Sequence, residues 1–426
     1  MLVDVQLKNF KSFTTTTVPL GPLTLLVGAN GSGKSNFFDA LRFLSFIGSG
    51  ISIRDAIEGH ISAVPSPTTI SGIRGGRPEI VNFGAENDAP IFELTAHMRV
   101  DSALLTYFIA VNAQTYRVVK EELSSTRHPG PYVYSTQPET GTLVHDPDSP
   151  SLSARFYKDT RGLNPKTEFS PNEALLSQFT GRKAASNLNE DVANLVRTEL
   201  QSLRPLELRP EVLREYSRLG DFEIGEHGEN FAAAAWWLDW ISRDQDDRNN
   251  AAREQREAIK GWLSELTPHK IVDYRVLAAP TEDVIFALTE DRYSQPITAR
   301  SLSDGTLRFA AFAFIVFGAH GRRTLAIEEF ENGINPSRLS LLIQMFEAAK
   351  ESDPELQVIA TTHSPGILAW MSPATLQDAV VIGWNRTDVS SHVVRIRELP
   401  GFSEALKNAT IGELQSEGWL QYAADM

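Results

Sequence analysis

Gly28-Ala29-Asn30-Gly31-Ser32-Gly33-Lys34-Ser35 is the stretch that decides the fold. It matches G-x-x-x-x-G-K-[ST] in full, and its surroundings are right for that motif. Before it, Leu23 to Val27 is a short apolar run that reads as a buried strand. After it, Phe37, Leu41, Phe43, Leu44 and Phe46 recur with helical spacing. Strand, glycine loop and helix make the first unit of an α/β fold. The glycines let backbone N–H groups turn inward around a β-phosphate, and the positive end of the helix helps hold that charge. Asn30, Gly31, Ser32, Gly33, Lys34 and Ser35 are therefore candidate ATP contacts. Lys34 is suited to reach the β- and γ-phosphates, and the Ser35 hydroxyl to ligate Mg²⁺. A glycine-rich turn without a ligand would require neither the full motif nor this context.

A second acidic element lies far along the chain. Thr324-Leu-Ala-Ile-Glu328-Glu329 is an apolar strand ending in two carboxylates. Paired with the phosphate loop, Glu328 suits the Mg²⁺ position, through water, and Glu329 suits a general base that orients the attacking water. Many P-loop proteins carry Asp where this chain has Glu328. Taken alone, the pair reads more simply as two solvated acids at a strand end. Leu302-Ser303-Asp304-Gly305-Thr306-Leu307-Arg308 opens another helix, and Ser303 with Gly305 would form a second anion site there. By itself Ser303 is more simply an N-cap. One nucleotide does not need two such loops, so the economical use of the second is the γ-phosphate on a partner copy.

The order GANGSGKS, LSDGTLR, LAIEEFENGINP, VIATTHSP resembles the ABC ATPase heads of the RecF and structural-maintenance-of-chromosomes class. It is closer to RecF-like ATPases of the AAA_21 type and to the ATPase half of the OLD (overcoming lysogenisation defect) nucleases. The opening LKNFKSF and the segment Ile411 to Trp419 share the likeness, which spans about residues 1–46 and 297–370 with a weaker tail. The resemblance implies an α/β, RecF-like P-loop head with an antiparallel N-terminal sheet and a mainly helical insert. It further implies a homodimer, or a higher oligomer of dimers, closing on ATP. It implies a D-loop at Asn332-Gly333-Ile334-Asn335-Pro336 and a switch histidine, His363, at the γ-phosphate. Lys11 and Phe13 would lie near the nucleotide; a surface lysine and a core phenylalanine account for them as well. Phe330 and Asn335 depart from the pattern, standing where related sequences often carry Pro and His. No Q-loop glutamine is identifiable: Gln114 is unconvincing, and the Ile73-Arg74-Gly-Gly-Arg77 segment serves that area or is simply a turn. No stretch sustains the heptads of a long coiled-coil arm.

The 426 residues, 42% of them hydrophobic, allow two or three domains. The divisions expected are 1–124 as an N-terminal lobe, 125–275 as an irregular and helical insert, and 276–426 as a C-terminal lobe. There is no cysteine, which excludes disulfides and thiolate sites. No signal peptide or membrane span is legible, so a cytoplasmic protein with no membrane partner is expected. The net charge of −14 opposes whole-surface attraction to nucleic acid. Trp236 and Trp237, among four alanines, read as core rather than as a base-stacking platform. Asp244-Gln-Asp-Asp247 reads as a solvated helix end or loop rather than a metal site. Only 63 residues follow His363 (426 − 363), too few for a Toprim nuclease half. A separately encoded effector, nuclease or toxin, is the partner expected. Two roles follow: a DNA-associated ATPase in repair or mobile-element defence, with DNA as a further partner, or a regulatory ATPase that holds or releases a toxin.

Overall fold

The structure, a computed structural model, describes all residues except 63–67, 83–89, 137–149, 158–165, 180–186, 244–248, 267–269, 281, 319–322, 364–366, 386–389 and 420–426. The chain divides into two compact units: 1–204 with 378–405 and 418–426, and 205–377 with 406–417. These are not the three consecutive segments expected, because the chain leaves the first unit and returns to it. Among the described residues no helix is long and apolar enough to cross a membrane.

The first unit is built on an eight-stranded antiparallel sheet. Its spatial order is Lys166–Phe169, Leu152–Phe156, Tyr134–Ser135, Arg117–Ser125, Ala103–Asn112, Ile91–Val100, Leu2–Phe10, Phe13–Pro19. Strict alternation explains the strand Ile91–Val100: Phe92, Leu94, Ala96, Met98 and Val100 point inward. Strands Ile91–Val100, Ala103–Asn112 and Arg117–Ser125 form a meander within the antiparallel N-terminal sheet that the resemblance implies. The first part of the segment expected to be an irregular and helical insert instead adds the three outer strands; Tyr134, Ala154, Phe156 and Phe169 supply an inward face that its polar composition hides. A smaller group of strands sets Leu23–Val27 parallel to Val380–Asn385, which pairs antiparallel with Ser390–Arg395. Helix Lys34–Ser49 seats Phe43 on Phe92, ring centroids 5.3 Å apart, and Phe92 on Phe10 at 5.4 Å. The helix that follows the phosphate loop is thus fixed by the core of the large sheet.

A buried carboxyl group stands out in that core. Glu121 is fully buried and accepts hydrogen bonds from the Tyr107 and Tyr134 hydroxyls, at 3.2 and 2.8 Å, and from the N–H groups of Leu175 and Leu176, at 2.6 and 2.8 Å. Burial pushes its carboxyl up to about 7, against the opposing pull of those four donors. The unfolded chain releases this proton near the ordinary glutamate value, and the folded chain holds it until about 7. Stability present below that ordinary value is therefore lost as pH rises through about 7, on the order of 3 kcal/mol in all. Glu121→Gln should destabilise the protein at low pH, since its amide sets N–H against N–H. The gap in melting temperature from the native protein should narrow between pH 5 and about 7.5. Parallel melting curves over that range would mean that Glu121 stays ionised throughout.

The second unit holds the parallel pair Arg323–Ile327 and Leu356–Thr362, joined through helix Leu339–Ser352. Both strands are buried along their whole length, as parallel strands are. An antiparallel group sets Asp283–Glu290 between Ile271–Ala278 and Ser217–Arg218, with Ile297–Thr298 also on Asp283–Glu290. Helix Asp304–Phe317 is buried from Leu307 onward. Its Phe314 meets Phe231, Tyr274 and Phe286 edge to face. Helices Phe231–Arg243 and Asn250–Leu266 complete the unit. Trp237, expected in the core, is 39% exposed, and Trp236 is half-buried. The alanines, not the tryptophans, face inward there. The expectation for Asp244–Asp247 lies outside the described residues.

Candidate functional site

In the first unit, strand Leu23–Val27 delivers the chain to Gly28, and the loop closes on helix Lys34–Ser49. Gly31 and Gly33 have φ of +80° and +108°, the left-handed region that side chains resist. A Cβ on Gly28 would lie 2.3 Å from the Ile382 carbonyl oxygen, and one on Gly33 would lie 2.3 Å from Ser391 Oγ. The loop is braced from outside its motif. Ser391 Oγ donates to the Ser32 carbonyl at 2.7 Å and contacts Ser12 Oγ at 2.8 Å, and Asn36 Nδ2 donates to Ser12 Oγ at 2.8 Å. Lys34 Nζ folds back onto the Gly28 and Ala29 carbonyls, at 2.7 and 2.9 Å. Ser32 Oγ is buried with no hydrogen-bond partner among the described residues. A cation resting on loop carbonyls and a buried hydroxyl are groups that the oxygens of a polyphosphate could engage. Ser35 is exposed at the start of the helix.

Lys11 does not extend freely. It sits at φ +48° between the first two strands, and its ammonium pairs with Asp39 and donates to the Arg74 carbonyl at 2.7 Å. Asp39, itself buried on the phosphate-loop helix, also takes Arg74 Nε at 3.1 Å. Arg74 NH2 donates to the Ser35 carbonyl at 2.6 Å. Buried Lys11 and Asp39, with the exposed Arg74, thus form a clasp on the helix that starts at Lys34, and a nucleotide contact by Lys11 would require it to leave Asp39. Phe13 is wholly buried. Asp39 and Ser391 were not legible as site residues: each is an ordinary polar residue in an apolar run, and only the fold reveals its partners.

In the second unit, strand Arg323–Ile327 ends in Glu328 and Glu329, both half-buried. The Glu328 N–H bonds the Leu206 carbonyl at 3.0 Å. Glu329 has φ +46°, rare for a side chain with Cβ and a common mark of a functional position. Its N–H is held by Thr361 Oγ1 at 2.9 Å, and its carbonyl receives Arg308 NH2 at 3.3 Å. Its carboxylate meets His363 Nε2 at 3.1 Å and accepts from Asn332 Nδ2. Glu331 anchors the histidine from behind. It accepts from Thr362 Oγ1 at 2.8 Å and from the His363 N–H at 2.6 Å. The structure therefore brings together Glu329, His363 and Asn332, and adds Glu331 as a tether. Ser364 and Pro365 of the same motif lie outside the described residues.

Both departures in the acidic motif have local reasons. Phe330 is wholly buried, 6.0 Å from Phe346 in ring centroids, so a core anchor stands where related sequences often carry proline. Asn335 Oδ1 accepts from the N–H and the hydroxyl of Ser337 at 3.0 and 2.9 Å, capping the turn Pro336–Arg338.

Ser303 caps helix Asp304–Phe317 in the ordinary way, accepting from the Thr306 N–H at 3.2 Å. It is also part of a concavity. Ser303, Gly305, Gly333, Asn335 and Arg338 are among the residues lining a pocket of ≈ 630 Å³. A Cβ on Gly305 would lie 2.5 Å from the Gly333 carbonyl, so the helix start and the loop at 332–336 interlock backbone to backbone.

No curated protein matches the chain. Many solved structures resemble it, two of them SMC heads. One is an SmcHead bound to the C-winged helix domain of ScpA: 15% identity, TM-score 0.49, with 92% of this chain and 97% of that one covered. The other is an SMC head domain from Thermotoga maritima: 13% identity, TM-score 0.42, with 92% and 98% covered. The sequence matches a family described as "AAA domain, putative AbiEii toxin, Type IV TA system" over residues 23–369. With most of its length inside that match, and a complete phosphate loop between strand and helix, the chain belongs to the AAA_21 family of P-loop proteins.

Proposed function

We propose that the chain binds Mg²⁺–ATP at residues 28–35 and hydrolyses it, with two copies closing around the nucleotides in the manner of an ABC-type head. The observation that carries this reading is the Glu329–His363 contact, set on a left-handed Glu329 and tethered through Glu331. A carboxylate beside a histidine, at the end of a buried strand, is equipped to take a proton from water while the imidazole follows the γ-phosphate. Mg²⁺ would be held by the Ser35 hydroxyl and, through water, by Glu328, where it neutralises charge on the phosphate oxygens. Lys34 would exchange its loop carbonyls for phosphate oxygens. Ser303 and Gly305 would serve the nucleotide of the other copy.

Two uses of such a cycle remain from the sequence. The first is a DNA-associated ATPase in repair or mobile-element defence, with a separately encoded nuclease. The second is a regulatory ATPase that holds or releases a toxin partner. The family's description names a putative toxin of a type IV toxin–antitoxin system, not a protein that holds one, so it supports the link of the second use to a toxin system and no more.

Lys34→Ala tests the foundation. It should weaken ATP binding at least about thirtyfold, ~2 kcal/mol, the value of charge-assisted hydrogen bonds. Titration of a fluorescent ATP analogue measures this directly, and an unchanged dissociation constant would remove residues 28–35 from the nucleotide site.

A further inference from the structure

We propose that Arg338 is a further catalytic residue, supplied in trans: its guanidinium contacts the terminal phosphate of the ATP held by a second copy of the chain. The proposal rests on the two-copy ATPase reading and names the cation of its Ser303 pocket. That pocket, of ≈ 630 Å³, is formed where two helices begin. Ser303, Gly305 and Thr306 line it from the start of Asp304–Phe317, and Ser337 and Arg338 from the turn that leads into Leu339–Ser352. Among the described residues that line it, Arg338 alone is charged. Its NH1 donates to the Glu265 carbonyl at 3.2 Å, which holds the guanidinium at the pocket wall but leaves its charge uncancelled. No carboxylate among the described residues forms an ion pair with it. Asp304, the acid next in sequence to Ser303, is paired with Arg214 at 2.5 Å instead.

The donors around Arg338 suit a phosphate group. Ser303 Oγ and Thr306 Oγ1 lie 2.8 Å apart, so one hydroxyl hydrogen bridges them and the other is left for a ligand. The Ser303 hydroxyl and carbonyl take the N–H groups of Thr306 and Leu307, which leaves those of Asp304 and Gly305 as the open donors of the helix start. A guanidinium fork, a hydroxyl and a helix start together match the several oxygens of a terminal phosphate better than the two of a carboxylate. Residues 28–35 already carry Lys34 for the nucleotide of their own chain, so this pocket is assigned to the nucleotide of the other copy. There, the oxygen of water bonds to the γ-phosphorus while the bond from phosphorus to the β–γ bridging oxygen breaks. The bridging oxygen leaves with the electron pair on ADP, and the water proton passes to Glu329 of the copy that holds the nucleotide. Arg338 neutralises negative charge on the γ-oxygens as this happens.

Arg338→Gln, which removes the charge, tests the proposal. At high dilution, where the chain is monomeric, it should bind a fluorescent ATP analogue within about threefold of the native protein. Its turnover should fall by at least about 10². In the Glu329→Gln background, where ATP is not consumed, Arg338→Gln should weaken ATP-dependent dimerisation at least about tenfold, read by sedimentation velocity. Arg338→Lys keeps the charge but not the fork, and one ammonium cannot serve the Glu265 carbonyl and a phosphate as the fork does. Its turnover should lie between those of the native protein and Arg338→Gln, which keeps the test sound if the glutamine variant folds poorly. Native turnover and native dimerisation in both variants would overturn the proposal. So would loss of nucleotide binding by a dilute Arg338→Gln monomer that melts like the native protein, since that places the residue at the nucleotide of its own chain. The underlying reading fails differently: a native chain whose turnover survives Lys34→Ala, or one that forms no ATP-dependent dimer, ends the two-copy reading and this proposal with it.

Discussion

Glu329→Gln is expected to leave ATP affinity within a few-fold of the native protein and to lower turnover by about 10²–10⁴, the share a positioned general base supplies. The substitution keeps the shape of the side chain. Its amide oxygen can still accept from Asn332 Nδ2, and its NH2 can face His363 Nε2, the contact now made by the carboxylate. The left-handed backbone at Glu329 is held by Thr361 Oγ1 and Arg308, neither of which touches the carboxylate. What the amide cannot do is accept a proton from water. ATP should therefore stay bound, and a closed dimer should accumulate, visible as an ATP-dependent shift on size-exclusion chromatography. Native-rate phosphate release by this variant would move the base elsewhere. Glu328, and then Glu331, would be the next carboxylates to replace.

How much of this was legible beforehand depends on how local each determinant is. The phosphate loop was legible in full, because its glycines, lysine and flanking periodicities fall within thirty consecutive residues and each has a fixed steric or electrostatic task. Strand Leu23–Val27 fell on its predicted bounds for the same reason. The Glu328–Glu329 pair was legible only in company with the loop. Glu331 was not legible as a tether, since nothing in ENG or TTH alone says that residues 31 and 32 positions apart share a carboxylate. Asp39 was hidden likewise: its partners Lys11 and Arg74 come from separate turns of the chain. The tryptophans misled for a different reason. Apolar composition indicates burial on average, but which helix face meets the core depends on neighbours. On Phe231–Arg243 the small alanines allow close approach, and the large rings are displaced outward.

Ser303→Arg carries the largest consequence for assembly. If this loop serves a partner's nucleotide, the variant should bind ATP nearly as well as the native monomer, yet lose ATP-dependent dimerisation and at least about 10² in turnover. The geometry explains why a large side chain is decisive at Ser303. Ser303 is exposed and lines the ≈ 630 Å³ pocket, and the neighbouring Gly305 is pressed against the Gly333 carbonyl, so an arginine at Ser303 adds bulk and positive charge at the mouth of the space proposed for the partner's phosphate. Some loss of helix stability is expected as well, about 1 kcal/mol, because Ser303 caps helix Asp304–Phe317. Ser303→Ala removes the cap without filling the pocket, and so isolates that term. Mixing Ser303→Arg with Lys34→Ala sharpens the test. A mixed dimer has one site with an intact phosphate loop and an intact Ser303 loop, and one site with both defects. Activity should return in part on mixing if sites fire independently, and stay absent if the two must fire together. The decisive measurement is nucleotide binding at high dilution, where the variant is monomeric. Loss of binding there would put Ser303 at the nucleotide of its own chain, and the two-copy arrangement would have to be abandoned.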